Sequence, residues 1–345
     1  MTSWISKLSY AIVLAILLGA PAAARAEEPA TPLPPISHRI AGGQFDFIVW
    51  EGSTFTSIGS RFGESPKVLA RENGKQVTDR LQTGDTIHID NRHIVPIEGS
   101  DLIEVNLPQR MLFHFEGGRL SGAYPVAIGQ PGKQWQTPTG AFTVIQMREN
   151  PTWRPPASIQ REEEEEGKEV VDEIEPGPDN PLGKYWIGLS FPVIGIHGTN
   201  HPVSVYSYRT HGCVRLHPDD IEALFNAVDV NDSGQIVYIP VMLARLDDGR
   251  IFLESEKDIY RRGSGDIDAV KALARADGID TLIDWSHAGE VLNDQDGIAR
   301  DVTATTERAV GTPADTVTGS AVVERTGTVA VDKSKGVIAE AVPSH

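Results

Sequence analysis

Hydrophobic and polar residues follow two different periods within residues 45–91. Residues 45–49 alternate as in a strand, whereas 53–62 carry apolar side chains at helical spacing. A second short helix is predicted at 66–73, and 86–89 predict a closing strand after a Thr-Gly-Asp turn. The predicted order is strand, helix, helix, strand, which is a small α+β unit.

Period-two alternation dominates residues 101–243 and predicts a mainly β domain. Strands are predicted at 102–107, 111–115, 124–128, 141–146, 185–189, 194–197 and 235–239. Gly117-Gly118 offers a hairpin turn directly after the second of them. One helix is predicted from Pro218 to about Asp229, because its acidic first turn suits the helix dipole and an apolar face follows.

An irregular segment at 149–181 interrupts this domain. It contains six prolines and the acidic run 162–166, which we interpret as a solvated helix face. A structureless segment of this length inside a compact domain is typical of a functional loop or of disorder.

The C-terminal third has weaker patterns. Residues 245–285 favour a β-hairpin and a helix, within an extension that we place at 244–299. Residues 300–345 are rich in Thr, Ala, Gly and Val, with few large apolar side chains, and are predicted to be a disordered tail.

The N-terminus has the pattern of a signal peptide over residues 1–26. Lys7 precedes the apolar run Leu8–Ala20, and Ala24-Arg25-Ala26 forms an A-x-A cleavage site. An uncleaved anchor is the alternative, although the run is short for a membrane span. Residues 27–44 are rich in Pro and Ala and predict an extended linker.

Charge and cysteine content narrow the function. A net charge of −17 argues against nucleic acid as a partner, because phosphate binding needs a basic face. Exported proteins usually pair their cysteines, yet this chain has one, Cys213, and cannot form an internal disulfide. From this count alone, Cys213 is either a functional thiol or a small buried hydrophobe.

The residues around Cys213 favour a functional thiol. The chain reads Ile-His-Gly-Thr-Asn at 196–200 and Thr-His-Gly-Cys-Val-Arg-Leu at 210–216. A cysteine nucleophile needs a nearby base, commonly histidine, and backbone N–H groups directed at the developing oxyanion. Gly212 permits a tight backbone before Cys213, so the amides around it are candidates for that oxyanion hole.

The unit at 45–91 resembles a LysM module. The matching positions are Ile48, Val49, Gly52, Ile58, Phe62, Asn73, Leu81 and 84–89. The resemblance implies binding of glycans that contain N-acetylglucosamine. Its first turn, Gly52-Ser53-Thr54, departs from the usual Gly-Asp-Thr. A small packing domain without glycan affinity is the alternative.

The two motifs around His197 and Cys213 resemble the signature of L,D-transpeptidases with a YkuD-type catalytic domain, in the ErfK/YbiS-like periplasmic branch. Further matching blocks lie at 137–140, 150–153 and 177–183. The resemblance implies that 101–243 form a mainly β, sandwich-like catalytic domain with a helix after the cysteine. It also implies a periplasmic location in a Gram-negative envelope and no cofactor or metal.

Carried over position by position, the resemblance assigns Cys213 as nucleophile and His197 as proton donor and acceptor. It assigns the oxyanion hole and pocket to Thr210, His211, Gly212, Gly198 and Arg215. Arg215 would be a structural or substrate-carboxylate contact, and Trp153 and Asn180 would belong to a lid. Tyr206-Ser207 departs from the usual spacer and bears on loop shape and substrate preference.

The implied reaction is acyl transfer on a peptidoglycan tetrapeptide stem. Cys213 attacks the carbonyl before the terminal D-alanine, and an amine resolves the thioester. That amine belongs to another stem, giving a 3→3 cross-link, or to a lipoprotein lysine. Hydrolysis by an L,D-carboxypeptidase or amidase, and a non-catalytic wall-binding protein, are the alternatives.

A metal site is a rival interpretation of the same region. Four histidines at 197, 201, 211 and 217 surround Cys213 in the sequence. Their spacing matches neither Cys-x-x-Cys nor His-Glu-x-x-His, so the sequence does not favour zinc. We expect His201 and His217 to be surface or supporting residues.

Overall fold

The structure is a computed structural model that describes residues 33–96, 103–132, 134–263 and 265–304. The predicted signal peptide lies outside these residues, as do residues 305–345 of the predicted tail. Among the described residues, no helix is both long and apolar enough to cross a membrane.

Seventeen strands and six α-helices make up the described part of the chain. The strands are β1 (Ile40–Ala41), β2 (Gln44–Ile48), β3 (Thr86–Asp90), β4 (His93–Ile94), β5 (Ile103–Asn106), β6 (Met111–Glu116), β7 (Arg119–Pro125), β8 (Ile128–Gly129), β9 (Gly140–Glu149), β10 (Tyr185–Leu189), β11 (Gly195–His197), β12 (Tyr208–Thr210), β13 (Val214–Arg215), β14 (Ser233–Val237), β15 (Val241–Arg245), β16 (Ile251–Ser255) and β17 (Arg300–Asp301). The helices are α1 (Phe55–Phe62), α2 (Pro66–Glu72), α3 (Ala157–Glu165), α4 (Pro218–Ala227), α5 (Ile267–Ala276) and α6 (Trp285–Asp294).

The predicted strand–helix–helix–strand order of the N-terminal unit is confirmed. β2 pairs antiparallel with β3, and α1 and α2 lie between them in sequence. Thr54 begins α1 with a capping box, since its hydroxyl accepts from the Ser57 amide and the Ser57 hydroxyl accepts from the Thr54 amide. Gly63 ends the helix at φ +77°, a conformation that favours glycine.

Residues 103–243 are mainly β, as the sequence predicts. Eight strands form one mixed sheet in the order β13-β11-β10-β9-β14-β5-β6-β7, and β8 pairs with β12 beside it. α4 follows the cysteine-containing turn, and its buried Ile221 and Leu224 pack with Ile187 and Ile196 of the sheet. The hydrophobic effect therefore fixes the helix against β10 and β11, next to the end of β11 at His197.

Two predicted boundaries are wrong within the described residues. The linker predicted at 27–44 contributes β1, which pairs with β4, and a buried Ser37 that bridges to Ala244. Residues 300 and 301, the first of the predicted tail, instead form β17, which pairs with β16. Composition suggested irregular chain in both places. It does not show that a strand distant in sequence supplies hydrogen-bond partners for the backbone there.

The C-terminal region contains the predicted hairpin, β15 and β16, and the predicted helix, α5. α6 was not predicted. The hairpin and both helices share one apolar core, to which Leu243, Leu253, Val270, Ala274, Ala288 and Val291 contribute.

The N-terminal unit contacts the start of α4. Arg61 of α1 forms ion pairs with Asp219 at 2.7 Å and with Asp220 at 3.4 Å. The His217 ring donates from Nε2 to the Ser60 carbonyl at 2.9 Å. These contacts join the unit at 45–91 to the segment that directly follows the cysteine motif.

Candidate active site

Strand pairing brings His197 and Cys213 to the same edge of the sheet. β11 and β13 pair in parallel, with Ile196 opposite Val214 and His197 opposite Arg215. Cys213 immediately precedes β13, so this register places it beside Gly195, two residues before His197 on β11. The fifteen intervening residues, 198–212, contain a short 3₁₀ turn at Pro202–Ser204 and β12.

His197 is held as a neutral imidazole. Its ring is 4% exposed, and Nδ1 donates to the Gly198 carbonyl at 2.6 Å. This bond selects the tautomer that leaves Nε2 free to accept a proton. Burial, and next the positive charge of Arg215, lower the pKa of His197 to about 3. The imidazole is therefore unprotonated at neutral pH.

Cys213 is a half-buried thiol in its resting state. Burial raises the pKa of Cys213, while a hydrogen bond from the Gly195 amide and the charge of Arg215 act in the opposite direction. The Sγ–H donates to the Val193 carbonyl at 3.7 Å. No hydrogen bond joins Cys213 to His197 in the described part of the chain, and such bonds often form only when substrate binds.

The turn before Cys213 depends on Thr210 and Gly212. The Thr210 hydroxyl donates to the Cys213 carbonyl at 2.6 Å and accepts from the Gly212 amide at 3.2 Å. Gly212 has φ +113°, and a Cβ there would lie 2.9 Å from Ile194 Cδ1. The Gly212 amide is thus already occupied, and the His211 and Cys213 amides have no acceptor among the described residues.

A cavity of about 740 Å³ opens in front of Cys213. Of the predicted site residues, it is lined by Cys213, His197, Thr210, His211, Arg215 and Trp153. Arg215 donates from Nη1 to Ser204 Oγ at 2.9 Å, and its buried Nε has no partner in the part of the chain that the structure describes. A largely buried guanidinium without a carboxylate is unfavourable by itself and suits an anionic ligand.

The irregular segment 149–181 covers one side of this cavity. α3 within it has no buried residues, as expected for a solvated helix, yet Glu162 accepts from His211 Nε2 at 2.7 Å. Trp153 lines the cavity and bridges to Ile174. Asn180 does not line it. Its buried amide instead donates to the carbonyls of Pro151 and Ile174 and ties the two ends of the segment together.

Trp186 is a site residue that the sequence did not reveal. Its indole stacks on the His197 ring and lines the cavity. A Cβ on Gly195 would collide with the indole, so that glycine is needed for the stack. Because side chains alternate along a strand, Trp186 lies on the face of the sheet opposite to that of the core-facing Tyr185 and Ile187. The local sequence pattern does not show that its indole contacts His197.

The histidines of the rival zinc interpretation have separate environments. His217 bonds to the Ser60 carbonyl, and burial lowers its pKa to about 4. His201 is exposed, and Gly198 packs under Ile221 without lining the cavity.

Potential metal ligands converge elsewhere in the described chain, at His93, Glu254 and Glu256. His93 Nε2 faces the Gly63 carbonyl, and Nδ1 faces a Glu254 oxygen that accepts from Gln109. Both ring nitrogens must therefore donate. His93 is an imidazolium paired with Glu254, and Glu256 pairs with Arg110, so the three residues belong to an internal ion network.

Known proteins share this sequence pattern. A sequence profile of the YkuD family, the L,D-transpeptidase catalytic domain, matches residues 100–241. The probable L,D-transpeptidase ErfK/SrfK of Salmonella typhimurium is 29% identical over 287 residues, which is 79% of this chain and 91% of that protein. The putative L,D-transpeptidase YqjB of Bacillus subtilis is 33% identical over 141 residues, 39% of this chain and 70% of that protein.

The catalytic domain of the Enterococcus faecium L,D-transpeptidase has a TM-score of 0.32 and 20% identity, over 40% of this chain and 98% of that chain. On the sequence matches, the chain belongs to the YkuD family of L,D-transpeptidases. It is accordingly a transpeptidase enzyme, with the candidate site at Cys213 inside the matched region.

Proposed function

We propose that the protein is a peptidoglycan L,D-transpeptidase that uses Cys213 as nucleophile and His197 as proton carrier. The observation that carries the proposal is the parallel pairing of β11 with β13, which sets a tautomer-fixed, neutral His197 beside the only thiol. The catalytic unit is assigned to residues 101–243.

In the first half-reaction, the Cys213 sulfur attacks the carbonyl that joins the L-centre of the third stem residue to the terminal D-alanine. His197 Nε2 takes the thiol proton as the C–S bond forms and returns it to the departing D-alanine nitrogen. The free His211 and Cys213 amides receive the oxyanion. Arg215 is assigned to the substrate carboxylate, since its buried Nε lacks a partner.

In the second half-reaction, an amine attacks the thioester carbonyl, loses its proton to His197, and releases the Cys213 thiol. The acceptor is the side-chain amine of another stem or a lipoprotein lysine, and both supply the same nucleophile. The segment 149–181 closes over the cavity and excludes water, with Trp153 in its wall.

The location that fits this function is the periplasm, reached through the signal peptide at 1–26. The N-terminal unit at 45–91 is assigned to glycan binding. The rings of Phe45, Phe47, Trp50 and Phe62 support this, because they form a chain of contacts 5.1–5.3 Å between centroids and Phe45 is 38% exposed. Aromatic faces of this kind are suited to ligands with one apolar side.

The decisive experiment is amino-acid exchange. The purified protein is incubated with a disaccharide tetrapeptide and free D-methionine, and the products are resolved by mass spectrometry. Replacement of the terminal D-alanine by D-methionine is expected from the wild type and not from Cys213→Ala. Simple loss of D-alanine would instead identify an L,D-carboxypeptidase.

Sedimentation with purified peptidoglycan separates catalysis from binding. Cys213→Ala is expected to sediment like the wild type, whereas Trp50→Ala is expected to sediment less. A wild-type protein that sediments but yields neither product would identify a non-catalytic wall-binding protein.

A further inference from the structure

A short segment beyond the family match enters the candidate catalytic domain. Residues 256–262 follow β16, whereas the matched region ends at residue 241. Tyr260 is 6% exposed and belongs to the same apolar core as Ile187 and Ile196 of the sheet. The segment is therefore part of the packing beneath the site.

The Tyr260 hydroxyl closes the base of the loop 134–139. It donates to the Gly129 carbonyl at 2.5 Å and accepts from the Thr137 amide at 3.3 Å. The Gly129 amide in turn donates to the Thr137 hydroxyl at 2.9 Å. Since Thr137 is fully buried, removal of the Tyr260 hydroxyl would leave its amide unpaired.

Arg262 holds the outer part of the same loop. Its guanidinium donates to Gln136 Oε1 and to Thr139 Oγ1, each at 3.1 Å. It lies over the rings of Tyr238 and Tyr260, at 5.1 and 5.2 Å from their centroids, which orients the planar group. Gln136 lines the cavity in front of Cys213, so Arg262 sets the direction of a cavity-wall amide.

Glu256, the first residue of the segment, supports a second region. This region is the spacer between the motif at His197 and the motif at Cys213. Glu256 pairs with Arg110 at 3.2 Å, and the Arg110 guanidinium lies 3.9 Å from the centroid of the Tyr206 ring. Tyr206 has φ +58°, a conformation that needs support in a residue other than glycine. The spacer continues through β12 to Thr210, whose hydroxyl fixes the turn at Cys213.

We infer that residues 256–262 are a positioning element of the active site: Tyr260 and Arg262 set the loop 134–139 as a wall for the donor stem, and Glu256 sets the spacer through Arg110 and Tyr206. The inference rests on the proposed function for the identity of the donor. None of these residues touches the reacting atoms, so each acts through the loop or the spacer.

The test uses the full chain and the D-methionine exchange assay. Arg262→Gln is expected to raise the KM for the tetrapeptide about fivefold to tenfold with kcat nearly unchanged, and Arg262→Lys to restore part of the loss. Tyr260→Phe is expected to lower kcat/KM about tenfold and to speed deuterium exchange in residues 134–139. Val270→Ala, in the separate C-terminal core, is the control for lost stability.

Two results would overturn the inference. One is an unchanged KM in Arg262→Gln. The other is a fall in kcat/KM for Tyr260→Phe that is no larger than the fall for Val270→Ala, when both variants lose the same amount in Tm. If the wild type yields no exchange product, the proposed function fails, and deuterium exchange of 134–139 in Tyr260→Phe still decides the positioning role.

Discussion

The indole of Trp186 stacks on the imidazole of His197, with centroids 6.0 Å apart and planes inclined by 22°. The stack shields one face of the ring from water, and burial is the main reason that the pKa of His197 falls to about 3. Cys213 lies in the same cavity, so the indole contributes to the protonation state of the proposed base.

Trp186→Ala is therefore expected to raise the pKa of His197 toward its ordinary value of 6.5, because the ring gains water contact. The rate of D-methionine exchange should fall about tenfold. This is smaller than the full contribution of a general base, because His197 itself remains. NMR titration of the His197 ring measures the first effect. Trp186→Phe keeps a stacked ring and is the control; an equal pKa in all three proteins would contradict the argument.

Alkylation of Cys213 by iodoacetamide should report a raised thiol pKa. Since burial holds the pKa above 9.0, the rate should keep rising with pH through 9, where a free thiol approaches its plateau. Arg215→Gln should move the profile to still higher pH, because the charge of Arg215 favours the thiolate. A plateau near pH 7 in the wild type would instead mean a preformed thiolate.

Glu162→Gln should loosen the lid over the cavity. The variant weakens the bond to His211, and the pair is partly exposed, so the effect corresponds to about 1 kcal/mol or less. Deuterium exchange in 157–165 should quicken, and hydrolysis should rise about twofold relative to exchange. Glu165→Gln, on the exposed face of α3, is the matched control and should match the wild type.

Burial of Glu104 is expected to lower the stability of the folded protein as pH rises. Both carboxylate oxygens of Glu104 are buried and have no hydrogen-bond partner among the described residues, and burial raises its pKa to about 8. A carboxyl whose pKa is raised on folding contributes most below pH 4.5, and its contribution is lost as pH rises toward 8.

Glu104→Gln removes this titration. Its gain in Tm over the wild type should be larger at pH 8 than at pH 4.5, by on the order of 10 °C. Glu51→Gln, at an exposed position, serves as the reference variant. A gain that is equal at both pH values would disprove the role of burial.

Local pattern predicted most long elements of the fold. β2, β10 and α4 lie within a residue or two of their expected limits, because each carries its own period over five or more residues. β12 and β13 were missed because they have three and two residues, which is too short for a period. Their partners, β8 and β11, are distant in sequence and supply the hydrogen bonds that define them.

The sequence predicted which residues form the candidate site, but not how those residues are arranged in space. The motifs named Cys213 and His197, and both line the cavity. Asn180 was expected in the lid and instead ties its ends. Tyr260 and Arg262 carry no motif, and their contacts with Thr137 and Gln136 span more than 120 residues.

The sequence by itself determined which groups are proposed to carry the chemistry: one thiol, flanked by Thr210, Gly212 and Arg215, with a histidine sixteen residues earlier. These are properties of side chains and of close neighbours, so local order suffices. Only the tertiary structure decided the protonation state of His197, the stack with Trp186 and the support from 256–262. Those depend on burial and on distant partners, which a linear pattern does not encode.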